Sequence, residues 1–214
     1  MSFFTAMLII CSNGLNFSSH NKTIRIADKV ARDVNNNYRH ISSSKFVASK
    51  YIERFPGLKK RLGKLTMHKM RKLKDKLYDD AATHLQKIMS FIEPVKKYKV
   101  CNCGDGTQIA AIMAKVNGIN DCHIVHLCNQ DGKDLNHAAS FVNDIKPYII
   151  DTWLGEADYV PNMMTKYKSL FRFEDDAQPG LCTKIDDEYT DFLKDDFSKK
   201  QRKKILKIYP ELKI

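Results

Sequence analysis

No apolar run in this 214-residue chain reaches the roughly 18 residues that a bilayer-crossing helix requires. Internal repeats and low-complexity tracts are also missing, which excludes solenoid and linker-like architectures. The six cysteines (Cys11, Cys101, Cys103, Cys122, Cys128 and Cys182) lack the dense, regular spacing of a disulfide scaffold, and a chain of this length does not need one. They are expected to be reduced. Cys101, Cys103, Cys122, His123, His126 and Cys128 are zinc-ligand types, but no Cys-x2-Cys pair has a matching partner, so no metal is expected. The apolar stretch from Ser2 to Cys11 has no positive charge before it, which makes it a poor Sec signal peptide. An uncleaved signal for injection into another cell and an ordinary N-terminal strand both fit it.

What is present is a globular composition, 43% hydrophobic and 29% charged, with a net charge of +11. The charge is uneven: residues 1–100 hold 21 Lys and Arg against 7 Asp and Glu, whereas residues 101–214 hold 15 against 18. The basic half points to an acidic partner. The acidic surface of a target protein and an anionic membrane both fit it, and the sequence does not separate them. Nucleic acid is disfavoured, because the basic runs at 59–76 and 199–207 are not interleaved with exposed aromatics and no nucleic-acid motif is present. Lys69, Arg71, Lys72 and Lys74 are the partner-binding candidates. A solvated lysine-rich helical surface would give the same composition. Nothing in the sequence sets an oligomeric state.

The patterning divides the chain into a flexible N-terminal segment at 1–22, a basic helical portion at 23–97 and a core at 98–214 that ends in a basic helix. Ile24, Ala27, Val30, Ala31 and Val34 follow helical spacing, and Ser42-Ser43-Ser44 reads as the cap of a second helix running past Ile52. Pro56-Gly57 reads as a turn. Met70, Leu73, Leu77, Ala81, Leu85, Ile88 and Ile92 predict one long helix from about Thr66 to Ile92, ended by Pro94. A further helix is expected from Gly104 to Gly118, a turn at Gln130–Lys133, and strands at 122–128, 137–142 and 148–154. Residues 156–197 show only short apolar pieces between acidic clusters. The expected fold class is α+β, with a helical N-terminal portion packed on a small antiparallel sheet.

Three residues carry chemistry. Asn102-Cys103-Gly104-Asp105-Gly106 places a cysteine where an amphipathic helix begins, and the unpaired N–H groups and positive dipole end there favour thiolate, the nucleophilic form. Asp105 opposes thiolate formation, so a nearby cation would help. A hairpin turn centred near residue 144 sets His137 directly opposite Asp151, on one face, where the carboxylate can orient the imidazole. A one-residue slip would put them on opposite faces. Each residue alone has an ordinary structural use. Their order and placement together make the candidate triad Cys103, His137 and Asp151.

Asn102-Cys103-Gly104, Asp134-Leu135-Asn136-His137-Ala138 and Ile150-Asp151-Thr152-Trp153 together resemble the papain-like/transglutaminase-like cysteine enzymes, specifically the bacterial protein-glutamine deamidases that serve as toxins and effectors. The resemblance covers about residues 98–155, and none is recognised for 1–97 or the tail. It implies a papain-like core without a cofactor and an injected or secreted bacterial protein acting in the cytosol of a target cell. It also implies a Cys103 thioester formed from a glutamine side chain, with His137 as acid and then base. Proteolysis and transamidation would use the same acyl-enzyme. The Cys103 N–H and Asn102 are the oxyanion candidates, and Trp153 belongs on the substrate side. A non-enzymatic basic module for nucleic acid or anionic membrane is the alternative of another class.

Overall fold

The structure, a computed structural model, describes residues 17–37, 58–98, 100–129, 132–171, 179–182, 193 and 196–214. The apolar N-terminal stretch with Cys11, the Ser42–Ile52 helix, the Pro56-Gly57 turn, the first half of the Gln130–Lys133 turn and most of 172–195 lie outside the described residues. Among the described residues the fold is α+β. Helices α1 (Phe17–Asn37), α2 (Leu58–Asp79), α3 (His84–Tyr98) and α4 (Cys103–Val116) precede strands β1 (Cys122–Cys128), β2 (Asp134–Val142), β3 (Tyr148–Asp151) and β4 (Glu156–Tyr159). Helix α5 (Val160–Phe171), strand β5 (Gly180–Cys182), helix α6 (Lys199–Ile208) and a 3-10 turn at Pro210–Leu212 follow. The antiparallel sheet has the order β4-β3-β2-β1-β5.

Alternation along the strands serves two cores. Cys122, Val142, Tyr148 and Ile150 face a large core with α4 at its centre, joined by Val30 and Val34 of α1, Met70 of α2, Phe91 of α3 and Ile205 of α6. Ala139, Phe141 and Ile149 point to the other face and pack with Met163 and Tyr167 of α5. The basic N-terminal helices and the sheet therefore share one core. From Asp105 to Val116, α4 is buried at every residue.

Several element expectations are corrected. Helix α1 already starts at Phe17, within the segment expected to be flexible. The long helix divides into α2 and α3 because Thr83 caps a new start: its hydroxyl accepts the Gln86 N–H and donates to the Gln86 side chain. Pro94 does not end α3 but lies inside it. The apolar face of Ile88, Phe91, Ile92 and Val95 stays buried across Pro94, so core packing outweighs the lost backbone bond. Strand β3 stops at Asp151 rather than 154, and β4, α5 and β5 were not foreseen.

Candidate active site

Helix α4 delivers Cys103. Asn102 is its N-cap: the side-chain oxygen accepts the Asp105 N–H (2.8 Å), and an Asp105 oxygen accepts the Asn102 N–H (3.3 Å). This reciprocal box fixes Cys103 at the first helical position. One turn on, the Thr107 hydroxyl donates to the Ala138 carbonyl (3.0 Å) and the Ser140 hydroxyl donates to the Thr107 carbonyl (3.2 Å), which rivets the helix to β2. Cys103 is half-buried, and its Sγ lies 3.8 Å from the Asn136 carbonyl oxygen.

Strand β2 bends at that point. Its pairing with β1 shifts between His126–Ala138 and Cys128–Asp134, which leaves extra residues of β2 in a bulge. Asn136 adopts a left-handed φ of 58°, unusual for a residue other than glycine, and its N–H is held by the Asp134 carboxylate at 2.7 Å. The bulge turns the Asn136 carbonyl toward Cys103 and the next side chain, His137, toward the face covered by α5.

His137 and Asp151 are both buried, and the imidazole Nε2 lies 2.7 Å from Asp151 Oδ2. They are not directly opposed. Ser140 pairs with Ile150 and Val142 with Tyr148, so the hairpin turn centres on Ile145 and Asp151 falls opposite Ala139. His137 is the diagonal neighbour two residues along. The expected register was off by an even number, so the two side chains still share a face.

Asp151 accepts on both oxygens. Oδ1 receives the N–H groups of Trp153 (2.8 Å) and Leu154 (3.0 Å), and the Asp151 carbonyl receives the Gly155 N–H (2.9 Å). These bonds make the turn that ends β3. Oδ2 receives the imidazole and the Tyr167 hydroxyl (2.6 Å). Tyr167 was missed in the sequence because α5 was missed. Its signal is the helical spacing of Val160, Met163, Met164, Tyr167 and Phe171. The rings of Trp153, Tyr167 and Phe171 surround the imidazole, with centroids 5.5, 5.6 and 5.4 Å away.

Burial alone would lower the His137 pKa. The Asp151 carboxylate more than offsets this by charge and hydrogen bond, Cys103 adds to it, and the pKa rises to about 10. Burial would raise Asp151, but the imidazolium and the bonds from His137, Tyr167 and Leu154 hold it below its ordinary range. His137 therefore stays cationic at neutral pH. Nε2 is committed to Asp151, and the Cys103 side chain is a further polar neighbour of the ring.

The other described cysteines differ in kind. Cys101 is fully buried, and burial followed by the Asp105 charge pushes its thiol well up. Burial pushes Cys122 to about 12. Burial and the neighbouring Cys182 thiol push Cys128 to about 11. Among the described residues only the Cys103 and Cys182 thiols are appreciably accessible, and none of the five described cysteines is in a disulfide. Among the described residues no three His, Cys, Asp or Glu side chains could hold a metal, and no helix is long and apolar enough to cross a membrane.

At the start of α4 the Cys103 and Gly104 N–H groups have no intrahelical acceptor. The Asn102 side-chain oxygen and backbone N–H are spent on the cap, so its amide Nδ2 is the donor left. Trp153 stands beside the imidazole, edge to face. Lys69, Arg71 and Lys72 are exposed on α2. Lys74 differs from these three: it turns inward and pairs with Asp105 at 2.7 Å. No protein-family model matches the chain, and no curated protein or solved structure matches it either.

Proposed function

We propose that the chain is a cysteine-dependent acyl-transfer enzyme with a papain-like, transglutaminase-like core, and that it deamidates glutamine side chains of a target protein. The supporting observation is the convergence of Cys103, at a helix start, on a buried imidazole that Asp151 keeps cationic. A cation facing the thiol favours thiolate, and a protonated imidazole beside the nucleophile is placed to donate a proton to the leaving group during acylation. The motif resemblance supplies glutamine as the acyl donor.

In this mechanism Cys103 Sγ attacks the side-chain carbonyl carbon and forms a C–S bond. The oxyanion sits against the N–H groups at the start of α4. The C–N bond breaks, and His137 protonates the departing ammonia. The now neutral imidazole takes a proton from water, which attacks the thioester. The C–S bond breaks, releasing glutamate and returning the thiolate–imidazolium pair. Asp151 stays ionised throughout and holds the ring. The free thiols accord with action in a reducing cytosol, where an injected bacterial effector would work.

The test is intact-mass analysis of candidate target proteins incubated with the wild-type chain or with Cys103→Ala. Deamidation adds about 1 Da per site with the wild type alone. Fragments would reassign the reaction to proteolysis, and amine adducts to transamidation. An identical mass change from Cys103→Ala would sink the cysteine mechanism.

A further inference from the structure

Asp105 does two things that conflict. Its carboxylate completes the capping box that seats Cys103, and it places a negative charge in the same helical turn as the thiol. Lys74 answers the conflict from another element. Its ammonium lies 2.7 Å from Asp105 Oδ1, its side chain is 13% exposed against 4% for the carboxylate, and it sits over the Phe91 ring at 5.5 Å. The pair joins residues 31 apart in sequence and ties the basic helix α2 to the first turn of α4.

We infer that Lys74 is a positioning residue of the active site: it neutralises Asp105, so that the carboxylate caps α4 without suppressing the Cys103 thiolate. This rests on Cys103 being the nucleophile. Around Cys103 stand Cys101 before it, Asp105 on its own helix with Lys74 paired to it, and His137 from β2 with Asp151 and Tyr167 behind it. Of these, Lys74 alone cancels the charge of Asp105. The exposed lysines of α2 have no such contact among those observed.

The test is the rate of iodoacetamide alkylation at Cys103, followed by peptide mass against pH, with thermal melting as the check on folding. Lys74→Met is expected to slow alkylation at neutral pH by about tenfold and to move the pH–rate profile upward. Lys74→Arg should keep the wild-type rate, and Lys76→Met, on an exposed part of α2, should have no effect. Adding Asp105→Asn to Lys74→Met should restore the rate, which a purely structural role for Lys74 would not produce. If Lys74→Met does not fold, Asp105→Asn alone decides: it should alkylate at least about twofold faster, because the negative charge in the first turn of α4 is gone while the Lys74 cation remains. A wild-type rate in Lys74→Met, no recovery in the double variant, or slower alkylation in Asp105→Asn would overturn the inference. His137→Ala separates this from the parent reading. If it slows alkylation while Lys74→Met does not, only the role of Lys74 fails; if neither slows it, Cys103 is not an activated nucleophile.

Discussion

Asp151 shows how one side chain can hold both a turn and a buried imidazole. Oδ1 closes the turn after β3 and Oδ2 binds His137 and Tyr167, so a buried charge is fully satisfied. The ion pair should leave a signature in stability. His137 has a folded pKa near 10 against an ordinary 6.5, so its contribution is complete below pH 6.5 and is lost as pH rises through 10. Asp151 is held below its ordinary 3.8, so its contribution is present above that value and lost as pH falls through the folded one. Urea unfolding should therefore show stability declining as pH rises between 6.5 and 10. His137→Gln should remove that slope. Parallel profiles for the two proteins would show that the pair is not an ion pair in the folded state. The acidic partner was legible from Asp-x-Trp after a β-run, but Tyr167 was not, because the helix that carries it, α5, was not read from the sequence.

Among the elements, helix α1 supports the turn that carries Asp151. Asn35 Nδ2 donates to the Trp153 carbonyl (3.1 Å), and Asp28 accepts the Ala157 N–H of edge strand β4 (3.2 Å). Gly155 closes the turn at φ +73°, and a Cβ there would meet Asn35 Nδ2 at 2.7 Å. Both the backbone conformation and the space demand glycine. Gly155→Ala should lower stability by about 1–3 kcal/mol and reduce turnover, since displacing Asn35 loosens the turn that aims Asp151. Unchanged melting and unchanged activity would show that α1 has no part in the site. Buried helix faces could be read from periodicity, as with Ala27, Val30, Ala31 and Val34, all fully buried. Two boundaries went astray where a local signal was outweighed or overlooked. The burial around Pro94 overrode its breaking tendency, and the Thr83-x-x-Gln86 cap was masked by an unbroken apolar stripe. The bulge at Asn136 had no sequence signal beyond an asparagine tolerant of left-handed backbone.

Across the whole molecule the charge is divided by location. Lys69, Arg71 and Lys72 on α2 and Lys199, Lys200, Lys203, Lys204 and Lys207 on α6 are exposed, whereas Lys74 is half-buried and Lys115 buried, both partnered. The basic run thus contains two populations that composition alone cannot separate. On the proposed function the exposed set docks an acidic target. Replacing Lys69, Arg71 and Lys72 together with Gln should weaken target turnover at low salt and matter less at high salt, while iodoacetamide alkylation of Cys103 stays unchanged. Unchanged turnover at low ionic strength would remove α2 as a docking surface. The α+β class was legible because helical and strand periodicities segregate along the chain. The second core beneath α5 was not, because its apolar residues are separated by lysines and flanked by acidic clusters.

The central claim is that Cys103 is a nucleophile activated by His137. The most direct measurement is mass-mapped iodoacetamide labelling of the native protein at neutral pH, comparing Cys103 with Cys182, the other accessible thiol among the described residues. The account predicts that Cys103 labels at least about tenfold faster than Cys182, and that His137→Ala abolishes the difference while the fold is retained. Equal labelling of Cys103 and Cys182 in the wild type, or an undiminished Cys103 rate in His137→Ala, would contradict it.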